Sequence, residues 1–377
     1  MMKAMRNLGA FGALLVAAAG AAANAPAGRL LPASWIESHE RTAEFLSPYY
    51  DVDRIYRSMK GPRSTEPVSI EGGPPELLWI TGYSADVVGD FGDPSGLEQF
   101  MCHSNLDVEA ADYAKRFGVD HAVSSRLFTV SQGQMDLEFP PGFGIPVLSN
   151  ERLSLTTQVL NLNYEMCDLR LRHRTRIRYV RDRDLPFAMT PLYERAVYGL
   201  KLLDGADGRY GMDPQARGEH GAASCLPGQN ADTFEYHDAY GRVFTGHWVV
   251  PPGREVDRTP VDAMLALKRD VVVHYIAVHM HPFARSLELW DATDRCIVWK
   301  AEAENSPVRI GLDRVDTYSS PEGLALQAAH HYELISIYDN TTAQPQDSMA
   351  VMYLYVEDPD FRKPEIPSPG AAVLAAR

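Results

Sequence analysis

The chain changes its hydrophobic rhythm several times. Lys3 and Arg6 precede an apolar run from about Leu8 to Gly20, which gives way to small residues around Ala23 and Ala25. A basic start, a short apolar run and small residues after it predict a secretory signal peptide over residues 1–25. The run falls short of the roughly 20 strongly apolar residues of a membrane span, so no span is expected. Residues 26–65 are predicted as a short helical leader. Ser34-Trp35-Ile36-Glu37 has capping-box spacing, and helix formers continue to Phe45 before the Ser47-Pro48 break.

From Glu76 onward the period shortens to two. ELLWITGYSADVV, SRLFTVSQGQMDLEF, LSLTTQVLNLNYEM and DLRLRHRTRIRYV are rich in β-branched and aromatic residues and are punctuated by Gly, Pro, Asn and Asp. One short helix, roughly Asp107 to Arg116, interrupts them. A Gly- and Ala-rich stretch without periodicity then separates this block from a second one. That block runs through GRVFTGHWVVPPGREV, DVVVHYIAVHMHPFARSLELWDA, CIVWKAEA, HYELISIYDN and DSMAVMYLYVED. Short strands at this density predict an all-β protein of two antiparallel jelly-roll β-sandwich domains behind the helical leader. The expected divisions are 66–205 for the N-terminal sandwich, 206–238 for the connection and 239–358 for the C-terminal sandwich. A Pro-rich tail over 359–377 is expected to be disordered.

The net charge of -14 becomes more negative still when Lys3 and Arg6 leave with the signal, so a phosphate backbone is repelled and nucleic acid is excluded as a partner. Export implies a periplasmic or secreted location. There the four cysteines, Cys102, Cys167, Cys225 and Cys296, have three possible pairings if they form two disulfides.

The chemistry concentrates in Val278-His279-Met280-His281-Pro282. Residues two apart on a strand share a face, which brings both imidazoles within reach of one ion. The pair alone fits either a metal site or two solvent-facing histidines where Pro282 ends the strand. His274 falls on the opposite face unless a bulge intervenes. Met349, on a second strand, supplies a thioether. Two imidazoles and a soft sulfur favour copper over zinc, iron or magnesium. His247 before the PPG turn reads as a structural strand-end residue, and His330 and His331 frame a strand. Asn340-Thr341-Thr342 matches a glycosylation sequon but is equally explained by turn chemistry.

VVPPGREV, AVHMHPFARSLELW and DSMAVMYLYVED, in that order and spacing, resemble the C-terminal domain of the copper type II, ascorbate-dependent monooxygenases, the peptidylglycine α-hydroxylating and dopamine β-monooxygenase family. The resemblance covers roughly residues 246–357. It implies copper on His279, His281 and Met349, with Tyr353 four residues beyond the Met as the candidate catalytic residue. It also implies hydroxylation of a C–H bond of a small-molecule substrate with oxygen and an ascorbate-like reductant. The family's electron-transfer copper, on the first domain, corresponds here to Cys102-His103 and to Leu160. Cys102 and His103 are therefore candidate metal ligands, while Leu160 replaces a histidine. Ala277 stands where peptide-amidating members carry an arginine, so peptidylglycine is a poor substrate. Two other functions remain open: a non-catalytic periplasmic copper-binding protein with one His/His/Met site, and a cupin-like or carbohydrate-binding sandwich.

Overall fold

The computed structural model describes residues 32–366 apart from 91, 95, 120–122, 167, 204–234 and 238–240. The expected signal peptide and most of the expected connection lie outside the described residues.

Two strands explain the architecture. Val271–Met280 (VVVHYIAVHM) and Ala350–Glu357 (AVMYLYVE) carry almost unbroken runs of buried residues instead of alternating ones, the pattern of a strand covered on both faces. They pair antiparallel, with His279 opposite Val351 and Met280 opposite Ala350. One face of the pair presents Tyr275, Ala277, Met349, Val351, Tyr353 and Tyr355 to the first core. The other presents Ile276, Val278, Met280, Met352 and Leu354 to a second core.

These two strands lie in a long sheet that runs through both blocks. Its spatial order is Arg41–Leu46, Leu169–Arg181, Leu77–Gly89, Phe143–Leu148, Thr190–Tyr198, Ala350–Glu357, Val271–Met280 and Tyr318–Leu326. All the pairings along it are antiparallel except the short parallel contact of Thr190 and Pro191 with Phe143 and Gly144. A four-stranded sheet, Arg63–Val68, Leu153–Val159, Met101–Asp107 and Arg126–Ser131, covers the first core. A five-stranded sheet built on Gly253–Pro260, Tyr332–Asn340 and Ala284–Asp291 covers the second. The fold is a largely antiparallel β-sandwich of jelly-roll type, but its two cores lie on opposite faces of a shared sheet and the halves are not discrete. Val278 N donates to Gln134 Oε1 at 3.1 Å and Tyr355 Oη to Leu127 O at 3.0 Å, joining the blocks.

The expected helical leader is corrected. Among its described residues only Ala33–His39 is helical, and Pro32 rather than a capping serine precedes it. Arg41–Leu46 is an edge strand against Leu169–Arg181, where Arg176 reaches Glu44 at 3.1 Å. Pairing to a long partner strand overrides local helix propensity. The second expected helix forms over Ala110–Phe117, begun by a Glu109 cap on Asp112 N at 2.8 Å and ended by Gly118 at φ 65°. Beyond Asp358 the chain stays packed for some residues, since the Phe361 ring lies 5.3 Å from Trp79 and 5.6 Å from Phe117.

A tight turn at residues 57–60, with Met59 at φ 66°, carries Ser58 to the junction of the two blocks. Gly61 follows it because no side chain fits: a Cβ there would stand 2.0 Å from Val159 O. Gly61→Ala is therefore expected to lower unfolding stability by about 1–3 kcal/mol, and chemical denaturation checks this against the parent protein.

Candidate metal centre

Strand alternation sends His279 toward the first core, and His281 follows just past the strand end. Both are buried, at 4% and 5% exposure, which excludes the reading of two solvent-facing histidines. Their ring centroids are 5.2 Å apart at 84°. Neither ring nitrogen of His279 has a hydrogen-bond partner. Burial, followed by the charges of His281, His103 and His247, pushes its pKa well below the usual imidazole range, so the ring is neutral with exposed lone-pair capacity.

His281 is held from several sides. Its Nδ1 lies 3.2 Å from Asp347 Oδ2 and 3.3 Å from Asp347 O, and its Nε2 lies 3.4 Å from Ser58 Oγ. Tyr338 Oη accepts from His281 N at 3.2 Å and donates to Met349 O. One phenol thus clamps the ends of both strands. Continuing the register by one step sets Met349 across from His281, on the face that His279 shares. Met349 is fully buried.

Asp347 and His247 complete the cluster. His247, on the residue before the strand Trp248–Val250, is fully buried. Its Nε2 is 3.6 Å from Asp347 Oδ2 and its ring 5.1 Å from that of His281. Burial alone would raise the Asp347 carboxyl, but the hydrogen bonds and charges of His247 and His281 hold it well below the carboxylate range. Ligand atoms of His247, His281 and Asp347 lie within 4.8 Å of one another, and those of Asp291, Asp294 and His330 form a second such group. Among the described residues, two compact His/Asp clusters are therefore positioned to hold a metal ion.

A small cavity of about 20 Å³ opens beside the first cluster, enough for roughly one water-sized sphere. Its walls include His279, His281, Pro282 and Asp347 from the second block, and Ser58, Met101, Cys102 and Leu160 from the first. Met349 and Tyr353 are not among them. Tyr353 is buried in the first core opposite Ala277, two pairs along from His279. His103, on Met101–Asp107, pairs with Ser131 and Gln158. Burial and then the charge of Arg126 lower its pKa to about 3. Cys102 carries a free thiol, which burial pushes up to about 11.

A register shift between Val273 and Tyr275 does occur, but His274 stays away from the cluster, its Nδ1 3.1 Å from Ser320 O and its ring 4.2 Å from Phe143. Sequence reasoning set His247 aside and passed over Asp347. Asp347 was within reach, two residues before Met349, whereas His247 lies a hundred residues away with no local signal. Asn340 serves a turn: its side chain donates to Val250 O and Gln344 O and accepts from Thr342.

No family model matches this chain, and no curated protein matches it. Among solved structures, it is similar to one titled as the STIV MCP, at TM-score 0.31 and 8% identity over 85% of this chain and 97% of that one. It is also similar to a peptide-N(4)-(N-acetyl-β-D-glucosaminyl) asparagine amidase, at TM-score 0.33 and 7% identity over 84% and 96%.

Proposed function

We propose that this chain is an exported copper-binding protein whose ion is held by His279 and His281 with Met349 as the sulfur donor. The observation that carries the reading is His279: a buried, neutral ring with both nitrogens unpartnered. Buried polar groups are nearly always satisfied, and an ion shared with His281 would satisfy His279. Imidazole with thioether is a donor set that suits copper in both oxidation states. Copper bound there would supply one-electron redox chemistry with an open position.

The protein's own groups do the orienting. Asp347 holds the ring of His281 at Nδ1, through its backbone oxygen and the nearby carboxylate, in the manner of the outer-shell partners of metal-bound histidines. Phe283, at φ 72°, forms the turn after the His pair. Asn305 pins that turn, accepting from Phe283 N at 2.5 Å and donating to Ala284 O at 2.7 Å.

A second reading, copper-dependent hydroxylation of a small substrate with an ascorbate-like reductant, is favoured by a separate observation. A cleft of about 440 Å³ lies on the other side of Pro282, lined by Phe283, Arg285, Asn305 and Arg309 among others. That volume lies within the range of ligand sites.

Metal analysis of the purified protein is expected to find copper bound, and Met349→Leu is expected to weaken Cu(I) binding. The loss should be at least the roughly 10–100-fold that an outer-shell partner is worth. Unchanged Cu(I) affinity in Met349→Leu removes the thioether from the set. Copper-dependent oxygen uptake with ascorbate selects the second reading, and its absence in a copper-loaded sample selects the first.

A further inference from the structure

His247 and Asp347 belong to a short two-stranded ribbon of the second block. Trp248–Val250 pairs antiparallel with Gln346–Ser348, and Val249 stands opposite Asp347. His247 comes two residues before Val249, so strand alternation turns its side chain to the same face as that of Asp347. Thr245 pins the His247 backbone twice: its Oγ1 accepts from His247 N at 3.1 Å and donates to His247 O at 2.9 Å. His281, just past the end of Val271–Met280, presents Nδ1 to Asp347 and Nε2 to Ser58.

We propose that His247, His281 and Asp347 bind a divalent cation of the zinc class, at a site of its own on the Nδ1 side of His281. The inference does not rest on the copper reading. It shares His281 with that reading and needs neither His279 nor Met349. Asp347, which stands behind His281 in the copper reading, is a ligand here.

Three observations carry it. The first is spacing. Tetrahedral zinc with bonds of about 2.0–2.1 Å sets its donors about 3.3–3.5 Å apart. His281 Nδ1 lies 3.2 Å and His247 Nε2 3.6 Å from Asp347 Oδ2, and ligand atoms of all three residues lie within 4.8 Å of one another. Charge-assisted hydrogen bonds are shorter, about 2.7–2.9 Å, and Asp347 Oδ2 is buried without a well-formed one. The second is burial. His247 and His281 are both buried, and a carboxylate set between them away from water needs a cation beside it. A divalent ion supplies that charge with both imidazoles neutral, the form in which they ligate. The third is space. His281 and Asp347 also line the cavity of about 20 Å³, room for one water-sized ligand. Three protein donors with a fourth position open is the arrangement of catalytic zinc, whereas structural zinc is closed by four. A set without sulfur also favours zinc or iron(II) over Cu(I).

The test uses the full-length protein stripped of metal and titrated separately with Zn(II) and with Co(II), whose visible bands report its coordination. Uptake of one equivalent with the spectrum of low-coordinate cobalt is expected. His247→Leu and Asp347→Asn should each lower cobalt affinity by more than about 100-fold, above what an outer-shell partner is worth, with near-ultraviolet circular dichroism checking their folds. Should a variant fail to fold, proton NMR of the cobalt-loaded parent decides: two paramagnetically shifted imidazole N–H signals support the site, and fewer overturn it. Cobalt affinity unchanged in folded His247→Leu overturns the inference. So does a parent protein that takes up neither ion, and if that protein still binds Cu(I) the copper reading stands. A parent that takes up cobalt but not Cu(I) supports this site and removes the copper reading alone.

Discussion

Replacing His279 by Leu is expected to abolish copper binding and, in the same protein, to raise the stability of the metal-free fold. The two effects have one cause. The ring is buried to 4% exposure with neither nitrogen hydrogen-bonded, so folding without metal strips water from two polar atoms and returns nothing. Each such atom costs about 1–3 kcal/mol, whereas an apolar side chain of similar shape carries no such penalty. Leu at this position faces the aromatic and aliphatic residues of the first core. Metal-free His279→Leu should therefore unfold at higher denaturant, by about 1–3 kcal/mol. The parent protein is expected to gain stability on adding copper, since an ion that binds the native state alone stabilises it, and the variant to gain none. Denaturation with and without copper on both proteins checks the pair of effects. Loss of stability in the metal-free variant, with copper stabilisation intact, would assign His279 a structural role.

The same physics explains how much was readable beforehand. The strands of both blocks were legible because their β-branched, aromatic and turn residues act locally. So was the convergence of His279 and His281, which follows from a period of two. What local pattern does not contain is which faces meet. The unbroken apolar runs of Val271–Met280 and Ala350–Glu357 signal burial on both sides, and that signal was present in the sequence but was read as two separate sandwiches. Once the sheet is shared, Ser58, Cys102 and His279 line one cavity, though they come from distant parts of the chain. The Asp347–His247 pair is of the same long-range kind. Residues 41–46 show the converse, where a helix-compatible stretch is captured as an edge strand by the partner Leu169–Arg181.

Stability of the metal-free protein is expected to peak near pH 6.5 and to fall on both sides for different reasons. On the acid side, burial lowers the pKa of His103 and of His173 to about 3 in the folded state, and His279 is lowered in the same sense. The unfolded chain takes up these protons near pH 6.5, so the stabilisation is complete above that value and is lost as pH falls from 6.5 toward 3. Glu194 acts in the opposite direction. Burial raises its carboxyl to about 8, so its contribution is complete below about pH 4.5, the range of a free carboxylate, and is lost as pH rises through 8. Between 4.5 and 6.5 the histidines outnumber the carboxyl and stability climbs with pH, while above 6.5 Glu194 still titrates, joined by Asp257, raised by burial to about 7, and at the alkaline end by the buried Cys102 thiol, and stability declines. Denaturation midpoints in chelator from pH 4 to 9 measure this. Glu194→Gln should make the alkaline decline shallower and move the maximum upward. His173→Leu, which deletes a ring with both nitrogens unpartnered, should make the acid limb shallower. A flat profile, or an alkaline decline of unchanged steepness in Glu194→Gln, would show that these buried groups are not the ones linking protons to the fold.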